Sequence, residues 1–245
     1  MLDRRSFLMI GAGAAAGVAL HTGFAQSRGD GHLRAHFKNP TQKIEPGEHA
    51  LNLGGQRDGL LIVPKNYRAD RPAPMFVALH GAGGSARRVS SIFVAAAEDA
   101  GTILLVPESR DRTWDAIRDR FGPDVDFLDR AMNHALDRCA VDRKRLAIGG
   151  FSDGATYGLS IGIASGDLFT CILACSPGFI VPSTTRGKPR VFISHGTKDQ
   201  ILPIDATSRR ILPDLQRAGY VVQYREFDGP HTVPPAIAQE ALKFI

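Results

Sequence analysis

The sequence predicts an α/β fold, with one mostly parallel central sheet and helices on both faces. Three observations carry this. Short apolar runs recur at 75–80, 102–106, 145–149, 170–176 and 190–195. Runs with little polar alternation mark strands covered on both sides. The stretches between them read as helices, most clearly where Val125, Leu128, Met132, Ala135 and Cys139 recur at steps of three and four. Strand and helix signals alternate through the chain, which is the pattern of parallel strands joined by crossover helices. No linker, repeat or second domain is evident.

The chain has 245 residues, enough for one domain with a full core. Its 30 Lys and Arg exceed its 25 Asp and Glu, for a net charge of +5. The cations are scattered, without a basic stripe interleaved by aromatics, so nucleic acid is not an expected partner.

The elements follow in order. Residues 1–25 read as a twin-arginine-type export signal. Arg4 and Arg5 precede Ser6-Phe7-Leu8, an apolar run reaches Leu20, and small residues lead to a cleavage point after Ala25. The run is short for a membrane span, so an uncleaved anchor is the second reading. A periplasmic or secreted protein without stable membrane insertion is expected. Residues 26–46 are polar and read as a loose leader, and the folded domain is placed at 47–245. Two short strands are expected at 49–53 and 59–63, separated by the glycine-rich turn 54–59. The buried strand 75–80 ends at Gly81-Ala82-Gly83-Gly84. A helix at 87–100 and a buried strand at 102–106 follow. The irregular segment 107–120 holds the single tryptophan, Trp114, as either a pocket wall or a core residue. The next helix begins at Gly122-Pro123, with Asp124 and Asp126 near its positive end. Its apolar face is Val125, Leu128, Met132, Ala135 and Cys139. Late in the chain come a helix at 204–218 bent by Pro213, a strand at 220–227 and a closing helix at 235–245.

Gly150-Phe151-Ser152-Asp153-Gly154 matches G-x-S-x-G, in which a serine sits on a tight turn between a strand and a helix. A side chain at Gly150 or Gly154 would clash as strand and helix approach. Gly158-Leu159-Ser160-Ile161-Gly162 has the same spelling, but it lies inside the following helix, where Ser160 reads as a packing residue. A serine hydroxyl needs a base, and the base needs an orienting carboxylate. In open α/β sheets both belong in loops past the carboxyl ends of later strands. Asp199 follows the strand ending at His195, with Asp205 and Asp228 as rival acids. His231 lies in the last loop. His80 and His195 end strands before glycine and read as structural, and His32, His36 and His49 come too early. An oxyanion needs fixed N–H donors. These are expected from the backbone of Asp153 and of Ala82, with Gly83 second. The glycine loop lacks a Gly-Lys-Ser/Thr ending, so it does not read as a phosphate loop.

Cys171 and Cys175 share a strand at roughly 13 Å, too far for a disulfide. With Cys139 they read as buried thiols. No metal-ligand spacing appears.

Taken together, Leu79–Gly84, Gly150–Gly154, His195-Gly196-Thr197-Lys198-Asp199 and Gly229-Pro230-His231 resemble the α/β-hydrolase serine esterases. The resemblance is greatest to the phospholipase/carboxylesterase and polyhydroxybutyrate depolymerase-like groups, and it covers residues 47–245. It implies the α/β-hydrolase fold and cofactor-free hydrolysis of small-molecule or oligomeric esters through an acyl-enzyme. Polyester depolymerase and peptidase activities stay open, as does a non-catalytic binding protein on this scaffold. Asp153 departs from the Gln or Ala often found after the nucleophile, which would disfavour anionic acyl groups if its carboxylate faced the site. Ser152 replaces the Cys expected of a dienelactone hydrolase. No insertion is long enough for a large lid, so a shallow site for short or medium acyl chains is expected.

Overall fold

The computed structural model describes residues 29–245. The expected export signal, its cleavage point and the first residues of the leader lie outside this range. Within it an eight-stranded sheet runs in the order β1-β2-β4-β3-β5-β6-β7-β8. The strands are β1 (Gly47–Ala50), β2 (Gly59–Val63), β3 (Ala73–Leu79), β4 (Ile103–Pro107), β5 (Val141–Phe151), β6 (Cys171–Cys175), β7 (Arg190–Gly196) and β8 (Val222–Phe227). The β1–β2 and β2–β4 pairings are antiparallel, and every other pairing is parallel. The helices are α1 (Ala86–Ala100), α2 (Asp115–Arg118), α3 (Pro123–Leu136), α4 (Asp153–Ala164), α5 (Ser208–Arg217) and α6 (Pro235–Lys243). No helix among the described residues is long and apolar enough to cross a membrane.

The pleat explains the two-sided core. Along β3, Met75, Val77 and Leu79 enter one cluster, shared with Val125, Leu128 and Leu159 of α3 and α4. Phe76 and Ala78 point to the other face and join Phe93 of α1 and Ile237 of α6. Successive strand side chains alternate faces, so a strand covered twice must be apolar throughout.

Four boundaries differ from the sequence reading. Strand β1 ends at Ala50, because Asn52 has φ 54° and Gly54 and Gly55 are also left-handed, which starts the turn early. Strand β5 extends back to Val141 through charged residues whose side chains lie at the exposed start of the strand. The helix expected at 204–218 is split into a 3-10 turn (Ile204–Ala206) and α5. The break is at Thr207 (φ −125°, ψ −101°), and Pro213 lies within α5. The leader is not loose from residue 31 onward. Leu33 and Ala35 are buried in the α3/α4-side core. The Leu33 N–H donates to Ser165 Oγ at 2.9 Å, and the Arg34 and Ala35 N–H groups donate to Asp129 Oδ1 at 2.6 and 3.0 Å. Two apolar side chains gain burial there, and the backbone donors they take inside find acceptors.

The irregular segment after β4 is stapled by two carboxylates, buried Asp124 and half-buried Asp115. Asp124 accepts the N–H groups of Arg110 (2.6 Å) and Asp115 (2.7 Å). Asp115 accepts those of Gly122 and Asp124, both at 2.9 Å, and the Tyr157 hydroxyl at 2.8 Å. Burial, helped by the charge of Asp115, pushes the Asp124 carboxyl up to about 6. A carboxyl raised on folding binds more protons in the native than in the unfolded state between roughly pH 4 and 6. Its stabilising contribution is therefore complete below about pH 4 and is lost as pH rises through about 6. Thermal unfolding of wild type and Asp124→Asn from pH 4 to 7 checks this. The Tm advantage of wild type is expected to shrink as pH rises, by the equivalent of about 2 kcal/mol. A constant difference would refute the assignment.

Candidate active site

The parallel strands β5, β7 and β8 end at the same edge of the sheet, and the turns that follow them carry Ser152, Asp199 and His231. Ser152 sits between β5 and α4 with φ 59° and ψ −123°, a conformation sparsely populated by any residue with a Cβ. Its N–H donates to Cys175 O at 2.9 Å, which ties the turn to β6. The flanking glycines make the turn possible. A Cβ at Gly150 or at Gly154 would lie 2.0 Å from Leu79 O. Gly196 plays the same part at the end of β7, where a Cβ would lie 2.4 Å from the carbonyl oxygens of Gly229 and Pro230. The loop carrying His231 crosses at that point, and it is held by Thr197 N–H to Phe227 O and Lys198 N–H to Gly229 O, both 2.9 Å.

These turns bring the three side chains into one line. His231 Nε2 is 2.9 Å from Ser152 Oγ, and His231 Nδ1 is 2.5 Å from Asp199 Oδ2. With the proton on Nδ1, the imidazole donates to the carboxylate and presents a lone pair to the serine hydroxyl. Asp199 is buried, and its Oδ1 accepts the N–H groups of Ile201 (2.9 Å) and Leu202 (2.8 Å). Burial alone would raise its pKa. The His231 N–H and the two backbone donors outweigh burial and leave it below the ordinary value. The rival acids lie elsewhere: Asp205 pairs with Arg209 at 2.8 Å, and Asp228 with Lys198 at 2.6 Å.

His195, read from the sequence as structural, also touches the acid. It is fully buried, with Nε2 3.1 Å from Asp199 Oδ2 and 2.8 Å from Leu202 O. Donation from Nε2 to Leu202 O leaves Nδ1 to accept the Ser208 hydroxyl at 2.7 Å. Burial lowers its pKa, which favours this neutral form. Two imidazoles thus flank one carboxylate. The spacing of His195 and Asp199 in the sequence carried a signal for this contact, but Ser208 carried none.

The loop after β3 lies against the serine. A Cβ on Gly81 would be 3.1 Å from Ser152 Cβ. Gly83 N–H donates to Arg112 O at 2.7 Å and is engaged. Ala82 N–H has no acceptor among the described residues. Asp153 N–H begins α4, where no preceding turn can accept it. The loop is braced from behind by His80, whose Nδ1 donates to Gly81 O at 2.8 Å and whose Nε2 accepts Ser109 N–H at 3.0 Å. Arg57 donates to Gly84 O at 2.9 Å and to Ser109 O at 2.7 Å. Neither Arg57 nor Ser109 stood out in the sequence.

Asp153 does not face the site. Its Oδ2 accepts the Thr113 hydroxyl at 2.5 Å, and neither side chain lines the cavity beside Ser152. The adjacent Trp114 is core and not a pocket wall. It is fully buried, donates from Nε1 to His80 O at 2.8 Å and stacks on Tyr157. Ser160 is buried, donates to Thr156 O at 2.7 Å and accepts Val181 N–H, as a packing residue would.

A cavity of about 430 Å³ opens beside Ser152 and His231. Val89, Ile92, Phe151 and Ile201 supply its apolar wall, and Gly81 and Ala82 its polar end. The Phe151 ring also packs on His231 at 4.6 Å between centroids. No cluster of three metal-ligating side chains occurs among the described residues. The arrangement can move a proton from a hydroxyl to a carboxylate-backed imidazole, beside two N–H donors free to meet a developing negative charge.

Known proteins resemble this chain in sequence and in shape. A probable feruloyl esterase C of Aspergillus oryzae is 27% identical over 176 residues, covering 69% of this chain and 62% of that protein. Feruloyl esterase C of Emericella nidulans is 24% identical over 165 residues, covering 64% and 60%. The chain thus spans about three-fifths of the length of the curated relatives it matches. Among solved structures, esterase PE8 superposes with a TM-score of 0.62 at 20% identity, over 78% of this chain and 98% of that one. The CE1 ferulic acid esterase of Anaeromyces mucronatus gives 0.60 at 17% identity, over 85% and 96%. At these identities the superpositions speak for the α/β-hydrolase fold. The profile of the phospholipase/carboxylesterase family matches residues 115–245, a span that includes Ser152, Asp199 and His231. The chain is a member of the phospholipase/carboxylesterase family.

Proposed function

We propose that the protein is a serine hydrolase that cleaves carboxylic esters of short or medium acyl chain through an acyl-enzyme. The observation that carries this reading is the continuous hydrogen-bonded line from Ser152 through His231 to Asp199 beside an apolar cavity. Ser152 Oγ attacks the ester carbonyl while His231 Nε2 takes its proton. The carbonyl oxygen becomes an oxyanion and is met by the N–H groups of Ala82 and Asp153. The C–O bond to the alcohol then breaks, and His231 returns the proton to the leaving oxygen. Water, deprotonated in turn by His231, attacks the acyl-serine; the bond from the acyl carbon to Ser152 Oγ breaks, His231 returns the proton to Oγ, and the acid is released. Asp199 keeps the imidazole in the Nδ1–H tautomer and balances the imidazolium that forms.

The matching relatives are named feruloyl esterases, which favours including aromatic acyl groups among the candidates. A panel of p-nitrophenyl acetate, butyrate and octanoate with methyl ferulate tests the reading, run with intact-mass spectrometry of quenched samples. Turnover with an acyl mass added at Ser152 is expected. Turnover of none of these esters would overturn it. Export to the periplasm or beyond belongs to the same proposal, supported by Arg4, Arg5 and the apolar run that follows. A mature chain beginning elsewhere than Gln26 would contradict the proposed cleavage point.

A further inference from the structure

Two adjacent arginines open α1, and they face different surroundings. Arg87 reaches back to the sheet edge and pairs with Glu48 at 3.0 Å. Arg88 lines the cavity beside Ser152, and its guanidinium has no acceptor among the described residues. No carboxylate among the described residues lines that cavity. Asp153, which the sequence places next to the oxyanion donors, is turned toward Thr113. Asp199 is covered and spends its oxygens on His231 and the Ile201 and Leu202 N–H groups. The apolar part of the wall is Val89 and Ile92 from the same helix, together with Phe151 and Ile201. One cavity therefore holds the Ser152–His231 pair, an apolar surface and a guanidinium without an acceptor among the described residues.

We propose that this cavity takes esters bearing a carboxylate a few carbons from the scissile bond, and that Arg88 receives that carboxylate. The proposal rests on the ester-hydrolase reading and adds a substrate class to it. A guanidinium offers a carboxylate two parallel N–H donors, and its charge steers anions toward the opening. Arg88 is solvent-exposed, so salt and water screen the attraction, and its effect on specificity is modest. The sign is opposite to that expected from Asp153 in the sequence, because the carboxylate that would repel an anion has been turned away.

The test compares matched pairs of esters in wild type and Arg88→Gln. On the acyl side the pair is monoethyl adipate against the ethyl ester of its half-amide, which has the same length and no charge. On the alcohol side it is 4-acetoxybutanoate against 4-acetoxybutanamide. The readout is the ratio of kcat/KM for the anion to that for the amide within each protein, so any general effect of the substitution cancels. In wild type one pair is expected to favour the anion about fivefold at low salt. That preference should shrink in 0.5 M NaCl and vanish in Arg88→Gln; whichever pair shows it locates the carboxylate on the acyl or alcohol side. Amide esters cleaved at equal or higher efficiency than the anions by wild type would overturn the Arg88 proposal alone. A preference that survives in Arg88→Gln would do the same. Cleavage of neither anion nor amide by a wild type that turns over p-nitrophenyl butyrate would also overturn the Arg88 proposal alone; failure on p-nitrophenyl butyrate and the rest of the ester panel as well would bring down the ester-hydrolase reading with it.

Discussion

Ser152→Ala is expected to lower kcat for p-nitrophenyl butyrate by about 10⁴-fold or more, with little change in KM. Ser152 is one small member of a cavity wall whose apolar surface comes from Val89, Ile92, Phe151 and Ile201, so ground-state binding should survive loss of its hydroxyl. What disappears is the covalent route. If the N–H groups of Ala82 and Asp153 form the proposed oxyanion site, they would still polarise a bound ester, and a small rate above buffer is expected. His231→Gln should fall to a similar level, and the double variant should be scarcely worse than either single one. Groups that act as a unit in one step do not contribute additively. Initial rates at saturating substrate, corrected for spontaneous hydrolysis, decide the matter. A Ser152→Ala protein within tenfold of wild type would remove Ser152 from the chemistry.

The second large effect is on folding. Gly154→Ala places a methyl group 2.0 Å from Leu79 O and 2.7 Å from His80 O, both backbone atoms. Neither can swing aside as a side chain would, so α4 must shift from the end of β3 or the strand must distort. A destabilisation of about 4 kcal/mol or more is expected, the range reached only when packed backbone is forced apart. For a chain of this size that is a fall in Tm of roughly 8–16 °C, or failure to accumulate soluble protein. Gly29→Ala is the control, since nothing lies within 4 Å of the added carbon. Gly162→Ala should fall between them, because the carbon there meets Ile172 side-chain atoms that can move. Equal melting temperatures for Gly154→Ala and Gly29→Ala would show that the elbow tolerates a side chain.

Much of this was legible because single residues carried strong constraints. The clash at Gly150 and Gly154 could be foreseen from the spelling of the turn alone. Strands β3, β4 and β6 stood out because burial on both faces leaves them almost wholly apolar, and β7 through its apolar run Val191-Phe192-Ile193. Asp199 and His231 could be singled out because each lies in a loop after a late strand, and the structure brings them to Ser152. What escaped depended on contacts without a local pattern. Leu33 and Ala35 are two apolar residues in a polar stretch, too few to signal that the segment docks on α3 and α4. The turn of Asp153 toward Thr113 needed the course of an irregular loop. Arg88 looked like any surface cation on a helix until its neighbours in the cavity were known.

The docked leader also bears on how the chain reaches this state. Leu33 meets its Ser165 acceptor 132 positions later, and Ala35 meets Asp129 94 positions later. On a ribosome these residues emerge early and then have nothing to hold until α3 and α4 have been made. Closing so long a span adds entropy loss to the barrier and delays the contact. A stretch made before either of its partners is thus expected to be among the last to find its place, a late latch on a sheet already assembled.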